Sequence, residues 1–146
     1  MKYRQGVYLF IIKNGKYLLV HNKDNPQVQY YFAGGGLEEG ESNIDAFYRE
    51  AKEELNLENN DFSEVIDTGI VHQHPWPKEL QESKGFLGQQ KSFIIAHLSS
   101  NKELDFSNVD ELDSAIWVTR DELLDNLPFE DMKIDAKKVL DVYSKY

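Results

Sequence analysis

The chain lacks cysteine altogether, and that absence excludes three kinds of chemistry. Among its 146 residues no thiol is present to form a disulfide, to bind zinc as a thiolate or to act as a cysteine nucleophile. A protein without disulfides is consistent with a reducing compartment, so we expect a cytoplasmic location. The length is typical of one domain with a real core, and we expect residues 1–146 to form a single domain.

A long uninterrupted apolar run is also missing. Residues 1–20, MKYRQGVYLFIIKNGKYLLV, contain apolar stretches, but Asn14 and Gly15 interrupt them. An Asn-Gly pair between apolar residues is typical of a hairpin turn, whereas a transmembrane helix needs roughly 20 apolar residues in a row. We therefore expect hairpin strands over residues 7–13 and 16–21, and no membrane partner.

Positive charge is scarce in this chain. Lys and Arg number 16 against 26 Asp and Glu, which gives a formal net charge of −10. Such a protein repels the phosphate backbone, so we expect no binding to long nucleic acid. A small phosphorylated substrate held through metal ions is easier to reconcile with this charge.

Carboxylates, by contrast, are abundant and are arranged at helical spacing in residues 35–57, GGLEEGESNIDAFYREAKEELNL. An S-x-x-D capping box at Ser42 predicts a helix from about residue 43 to residue 55. On that helix, positions i, i+3 and i+4 form one polar stripe, which bears three glutamates. They are Glu50, Glu53 and Glu54.

This crowding of like charge predicts a cation at the stripe. Two like charges about 5 Å apart repel by roughly 3 kcal/mol at an effective dielectric near 20. Mg2+ prefers carboxylate and carbonyl oxygens, and Mn2+ suits the same ligands. An acidic, solvated helix face is the alternative interpretation of the same pattern.

The spacing of these residues resembles a known signature. A glycine, five residues, a glutamate, seven residues and then Arg-Glu-Ala-Lys-Glu-Glu-Leu-Asn-Leu are similar to the Nudix box, G-x5-E-x7-R-E-U-x-E-E-x-G-U, where U is apolar. Asn56 replaces the last glycine, a mild change because Asn also tolerates the left-handed conformation. Upstream, residues 30–35, YYFAGG, resemble the W-x-F-P-G-G approach of the Nudix (MutT-like) hydrolases.

The resemblance implies a fold that the local pattern supports only as mixed α and β. It implies the Nudix α/β/α sandwich with a mixed β-sheet, and the catalytic loop-helix-loop on one side. From the pattern we expect further strands over residues 29–32, 62–71, 92–98 and 115–118, a long loop over residues 72–91, a helix between Thr119 and Pro128, and a helix over residues 130–143 with Ile134, Val139, Leu140 and Tyr143 inward.

The activity that the resemblance implies is Mg2+-dependent cleavage of a diphosphate linkage in a nucleoside diphosphate derivative. Glu50, Glu53 and Glu54 would bind metal with a backbone carbonyl of Gly34 or Gly35. Arg49 would orient Glu50 or the loop, and Glu41 would hold the loop or bind metal through water. A carboxylate must reach the attacking water, and Glu50 and Glu111 are both eligible as the general base.

Glu111 is a candidate because of a second, shorter resemblance. The run ELDSAIWV, residues 111–118, is similar to the E-x-D-x-x-x-W-V stretch before the late strand of dinucleoside polyphosphate and RNA 5′-pyrophosphohydrolases. Glu111 would supply the glutamate from outside the box, as base or as metal ligand. Asp110 and Asp113 are the alternatives, and a merely solvated acidic loop is another.

Substrate contacts are expected from aromatic and basic residues around the predicted long loop. Tyr30, Trp76 and Phe86 are candidates to stack a nucleobase, and Lys84 is a candidate to neutralise phosphate, as are Lys78 and Lys91. The favoured substrate is a dinucleoside polyphosphate or a related 5′ end, with a nucleoside triphosphate or nucleotide sugar as the alternative. The partner is thus a small phosphorylated nucleotide, bound by a monomer or homodimer.

Two other interpretations stay open at this point. A non-catalytic Nudix-fold binding module, or an acidic cation-buffering domain, would keep the fold or the charge without turnover. His72 and His74 would lie on one face of a strand, which can suit a transition metal. No third His or Cys lies nearby in the sequence, so solvated histidines are the favoured interpretation.

Overall fold

A six-stranded sheet organises the molecule in the computed structural model, which describes residues 1–24 and 30–143. The strands are β1 (Lys2–Lys13), β2 (Lys16–Asn22), β3 (Ala33–Gly36), β4 (Phe62–Pro75), β5 (Phe86–Leu98) and β6 (Leu112–Val118). The helices are α1 (Asn43–Leu55), α2 (Lys78–Lys84), α3 (Arg120–Asn126) and α4 (Glu130–Val142), with a short 3-10 turn at Asn59–Asp61.

The strand order β4-β5-β1-β2-β6 places β1 at the centre, and β3 pairs with the same β1. β1 and β5 run parallel, whereas the other pairs are antiparallel, so the sheet is mixed. Every residue of β1 from Gly6 to Ile12 is buried, as expected for a strand covered on both faces.

Two apolar layers sandwich this central strand. Odd residues such as Val7 and Leu9 pack with the buried side of α1, and even residues such as Tyr8 and Phe10 pack with α3 and α4. The expected α/β/α sandwich with a mixed sheet is therefore confirmed. No helix in the described part of the chain is long and apolar enough to cross a bilayer.

The Asn-Gly hairpin is confirmed in position and in turn chemistry. Asn14 and Gly15 both have positive φ, 51° and 73°, which matches the right-handed twist of the two flanking strands. The strand predicted over residues 29–32 begins outside the described residues. Within the described part, Tyr31 forms only an isolated bridge with Val20, and the strand proper is β3.

The prediction of a long loop over residues 72–91 is wrong. β4 continues to Pro75, α2 follows, and β5 starts at Phe86. The ends of β4 and β5 carry mostly polar side chains, and Gln73 Nε2 donates to Gln90 Oε1 at 2.6 Å between them. The start of β1 pairs with the same part of β5. Polar residues on both faces hide the period-2 apolar signal on which strand prediction depends.

The inward face predicted for the last helix is wrong at Ile134, which is 59% exposed. The buried face follows the i, i+4, i+7, i+8 pattern of a packed helix, and Tyr143 packs at its end. Its members are Met132, Ala136, Val139 and Leu140.

This difference predicts opposite outcomes for two substitutions on α4. Met132→Ala should lower the free energy of unfolding by about 2–5 kcal/mol, because Met132 is fully buried and its truncation leaves a cavity. Ile134→Ser should change it by less than about 0.5 kcal/mol. Urea unfolding of both variants measures the difference, and equal losses would contradict the assigned face.

Candidate active site

Helix α1 is held at both ends by the residues that the sequence singles out. Ser42 Oγ accepts from the Asp45 N–H at 3.1 Å, and the Asp45 side chain accepts from the Ser42 N–H in return. Asn56 ends the helix in the left-handed conformation, with φ 56° and ψ 34°. Its side-chain amide donates to the Asp105 carbonyl at 2.6 Å, which ties the helix end to the segment before β6.

Gly34, Gly35 and Gly36 of β3, called here the glycine loop, lie so close to β1 and α1 that side chains at Gly34 and Gly35 would not fit. A Cβ on Gly34 would lie 2.1 Å from the Val7 carbonyl oxygen, and one on Gly35 would lie 2.3 Å from Glu50 Oε1. The Gly34 N–H also donates to Glu54 Oε2 at 3.3 Å. The loop backbone and the glutamates of α1 are therefore in direct contact.

Arg49 connects the acidic residues to one another. Its Nε and Nη2 donate to the two carboxylate oxygens of Glu41 at 2.7 and 2.9 Å. Nη1 donates to Glu50 Oε1 at 2.9 Å and to Glu53 Oε2 at 3.2 Å, and Nη2 also donates to the Gly36 carbonyl at 2.8 Å. One guanidinium thus donates hydrogen bonds to three carboxylates and to the Gly36 carbonyl, and a fourth carboxylate, that of Glu38, lies 3.5 Å from Nε.

Arg49 stabilises the ionised forms of the neighbouring glutamates to different extents. Its hydrogen bonds lower the pKa of Glu41. Burial raises the pKa of Glu50, which is only 7% exposed, and the bond from Arg49 opposes that rise. For Glu54, burial and then the charge of Glu50 raise the pKa to about 8. Of these three glutamates, Glu54 therefore has the ionised form that its surroundings stabilise least.

A cavity of about 510 Å³ collects most of the predicted site residues. Glu50, Glu53, Glu54, Gly35 and Gly36 line it, and so does Glu111 from the loop before β6. The charge of Glu111 contributes to the raised pKa of Glu54, so the two carboxylates are near each other. The full lining is Arg4, Gln5, Gly35, Gly36, Glu50, Glu53, Glu54, Gln89, Lys91, Asn108, Val109, Asp110 and Glu111.

The alternatives for the outside carboxylate are separated by the structure. Asp110 lines the same cavity as Glu111, whereas Asp113 lies in another small cavity, where its carboxylate is 2.8 Å from His21 Nδ1. Glu41 is not part of the lining described for the acidic cavity. Its contacts with Arg49 place it behind the guanidinium.

Sequence reasoning missed three polar cavity residues that come from strands, Arg4, Gln5 and Gln89. Parallel pairing of β1 with β5 sets Arg4 opposite Gln89 and Gly6 opposite Lys91. Lys91, one of three candidate lysines, lies with its ammonium 4.9 Å from the centre of the Tyr8 ring. Burial lowers its pKa, and the charges of Glu54 and Glu50 oppose that shift. No local pattern could have found a pairing across more than 80 residues.

A second cavity, of about 370 Å³, brings together three of the predicted substrate contacts. Trp76, Lys84 and Phe86 line it with Ser83 and with Arg4, which also lines the acidic cavity. Tyr30, the fourth candidate, lies elsewhere: its ring centre is 5.8 Å from that of His21, in the small cavity that holds Asp113.

The acidic cavity fits a hard divalent cation. Its donors are carboxylates and the backbone of a loop in which no Cβ would fit, and the raised pKa of Glu54 marks a place where positive charge stabilises the ionised form. These side chains do not form a tight three-carboxylate cage, because the described residues contain one such close ligand group and it lies elsewhere. Mg2+ suits this arrangement because it keeps several waters and needs only one or two carboxylates.

The known proteins to which this chain is similar are named as hydrolases. The family model described as NUDIX domain matches residues 2–142. An RNA pyrophosphohydrolase of Pelagibacter ubique is 28% identical, over 94% of this chain and 93% of that protein. Among solved structures, a C. elegans Ap4A hydrolase has a TM-score of 0.76 at 16% identity, covering 98% of this chain and 99% of that one. E. coli dihydroneopterin triphosphate pyrophosphohydrolase has a TM-score of 0.75 at 16% identity, covering 94% and 97%.

The raised pKa of Glu54 predicts a pH dependence of stability in metal-free protein. Its pKa rises from an ordinary 4.5 to about 8 on folding, so the folded state holds the proton more tightly between these values. Stability should therefore fall as the pH rises through that window, because ionising the half-buried carboxyl costs free energy only in the folded state. Glu54→Gln should remove this component, so that the variant becomes progressively more stable than its parent as the pH rises.

Urea unfolding in chelator at several pH values measures this difference. Glu53→Gln is the matched control, since it makes the same charge change at an exposed position of the same helix. A constant difference between Glu54→Gln and its parent across the window would contradict the assignment.

Proposed function

The chain belongs to the Nudix family and is a hydrolase of phosphoric anhydride bonds, and we propose that it uses Mg2+ to cleave the phosphate chain of a nucleoside polyphosphate. One observation carries the proposal. A cavity lined by Glu50, Glu53 and Glu54 also contains the basic side chains of Arg4 and Lys91. Carboxylates for a metal and cations for phosphate are thus present in one place.

Glu53, Glu54 and Glu50 would hold Mg2+ together with the Gly35 carbonyl. When bound, the ion neutralises phosphate charge and lowers the pKa of coordinated water. Arg49 is proposed as a positioning residue, because its hydrogen bonds to Glu50 on α1 and to the Gly36 carbonyl link the helix to the glycine loop. Glu41 would fix Arg49 through their paired hydrogen bonds.

Glu111 is our choice for the general base. Glu50 is only 7% exposed, and its Oε1 already accepts a hydrogen bond from Arg49, so little of this carboxylate is open to an attacking water. Glu111 is exposed and lines the same cavity. It is therefore placed to accept a proton from water that approaches from solvent.

The remainder of the substrate would extend into the second cavity. Arg4 lines both cavities, so its guanidinium can bind a phosphate between them. Trp76 and Phe86 are half-buried aromatic side chains, suited to stacking against a base. Lys84 would add charge at the rim. Tyr30 has no place in this arrangement, because it lies by His21.

A dinucleoside polyphosphate, or the triphosphate at a nucleic acid 5′ end, fits these features best. The relative from Pelagibacter ubique is named for RNA and the C. elegans neighbour for Ap4A. The net charge of −10 opposes contact with a long RNA body, so recognition of an RNA would be limited to its first nucleotides. Cytoplasmic location and a monomeric or homodimeric state remain predictions from the sequence.

Product analysis on a substrate panel tests this proposal. The panel contains a dinucleoside tetraphosphate, a short 5′-triphosphorylated RNA, a nucleoside triphosphate and a nucleotide sugar, each with Mg2+ and with chelator. We expect Mg2+-dependent turnover with the first two as the best substrates. Glu54→Gln should abolish most turnover, and Glu79→Gln on α2 is the charge-matched control. Near-normal turnover by Glu54→Gln at saturating Mg2+ would contradict the metal assignment, and preference for the last two substrates would contradict the substrate assignment.

The role of Glu111 is tested by three variants with the same charge change. Glu111→Gln should slow the chemical step at least about a hundredfold, the usual lower range for general base catalysis, with little change in substrate binding. Asp113→Asn should have little effect, because Asp113 contacts His21 outside the acidic cavity. Single-turnover rates measure the chemical step. A larger loss for Asp110→Asn would transfer the role to Asp110, and small, equal losses for all three variants would exclude a base in this loop.

A further inference from the structure

A second group of metal-ligating side chains lies on the opposite layer of the sandwich. His72 and His74 alternate along β4 on the face that packs against α4, and Asp131 lies in the first turn of α4. One ligand atom from each of the three residues lies within 4.8 Å of the others. Among residues 1–24 and 30–143, this is the one such group of His, Asp and Glu side chains.

The buried histidine is oriented as a metal ligand would be. His72 is 2% exposed, and its Nδ1 donates to Asp135 Oδ2 at 2.8 Å. With the proton on Nδ1, Nε2 carries the free lone pair and lies 3.8 Å from Asp131 Oδ2. Metal-bound histidines commonly donate their other ring N–H to a carboxylate, which fixes the tautomer and raises ligand basicity.

The spacing of these atoms suits an ion better than a direct contact. At 3.8 Å, Nε2 and the Asp131 oxygen are too far apart for a hydrogen bond. Bonds of about 2.0–2.1 Å to a tetrahedral Zn2+ place neighbouring ligand atoms roughly 3.3 Å apart. A shift of about half an ångström by Asp131, whose side chain is 60% exposed, would close that difference.

The third ligand distinguishes this group from a simple ion pair. A protonated His72 between Asp131 and Asp135 would be satisfied without His74. Yet a ring nitrogen of the exposed His74 lies within 4.8 Å of the Asp131 carboxylate. The centre of the His74 ring is 5.7 Å from that of Phe129, the N-cap residue of α4. Lys138 Nζ already lies 3.3 Å from Asp135 Oδ1, so Asp135 has a cation of its own.

We propose that His72, His74 and Asp131 form a binding site for a borderline divalent transition-metal ion such as Zn2+, with Asp135 as a positioning residue. Two imidazoles and one carboxylate are a ligand set that suits Zn2+, whereas Mg2+ and Ca2+ prefer oxygen ligands alone. The fourth position is open to water. The ion joins the exposed half of β4 to the start of α4, so it should raise the melting temperature.

The site is also connected to the acidic cavity through the sheet. His72 is the strand partner of Lys91, and His74 is the strand partner of Gln89, and both partners line that cavity. An ion that fixes this part of β4 therefore fixes the strand pair that supplies two residues to the substrate site.

Zn2+ binding to the full chain in saturating Mg2+ tests the proposal, because Mg2+ occupies the oxygen ligands of the acidic cavity. The chain contains four histidines, so imidazole nitrogen NMR signals can be assigned with single His→Gln variants. We expect Zn2+ to shift Nε2 of His72 and one ring nitrogen of His74, and to raise the melting temperature. The signals of His21 and His97 should not move.

Exposed ligands provide the variants, since replacing the buried His72 could unfold the chain. His74→Gln and Asp131→Asn should each weaken Zn2+ binding at least about tenfold, and Asp135→Asn about 10- to 100-fold with a changed His72 tautomer signal. His97→Gln, which also removes one histidine, should bind Zn2+ as the parent does. Unchanged affinity in His74→Gln and Asp131→Asn, or loss of binding in Glu54→Gln instead, would overturn the proposal.

Discussion

The acidic site depends on one guanidinium. Arg49 contacts Glu41, Glu50 and Glu53 and also the Gly36 carbonyl, so it offsets the repulsion that a row of glutamates on one helix face would otherwise create. Only an arginine can do this, because its planar fork donates in several fixed directions, whereas a lysine ammonium is a compact point charge. Glu54 lies beyond its reach and takes its hydrogen bond from the Gly34 N–H.

That distribution leaves a cavity beside carboxylates whose charge Arg49 already compensates in part. The guanidinium donates hydrogen bonds to Glu50 and Glu53, whereas the half-buried Glu54, whose pKa is raised to about 8, accepts its hydrogen bond from the Gly34 N–H. Lys91 contributes a second positive charge from the sheet. A divalent ion that bound at Glu54 would displace the proton of its carboxyl group, so ion binding and proton release would be coupled.

The sequence predicted those parts of the site that depend on neighbours along the chain. The Ser42 cap, the apolar spacing of α1 and the tolerance of Asn56 for positive φ are local properties, and α1 has the predicted bounds. Arg4 and Gln89 escaped prediction because they are neither near the box nor part of a pattern, and only strand register brings them to it. The same holds for Asp131, which is 57 residues from His74 in the numbering and lies beside it across the layer between β4 and α4.

The positive charge that a phosphorylated substrate needs is confined to a few groups that face the two cavities. The net charge of −10 repels an anionic substrate at long range, so attraction must arise at short range from groups that face the cavities. Arg4 lines both cavities and Lys91 lines the acidic one, and the glutamate stripe can bind a hard cation that phosphate oxygens also contact. On the other layer, the nitrogen ligands of His72 and His74 suit an ion of different chemistry, so the two sites need not compete for the same metal. Ligand type, rather than the distance between the two proposed sites, would separate a metal ion that contacts substrate from one that links the sheet to α4.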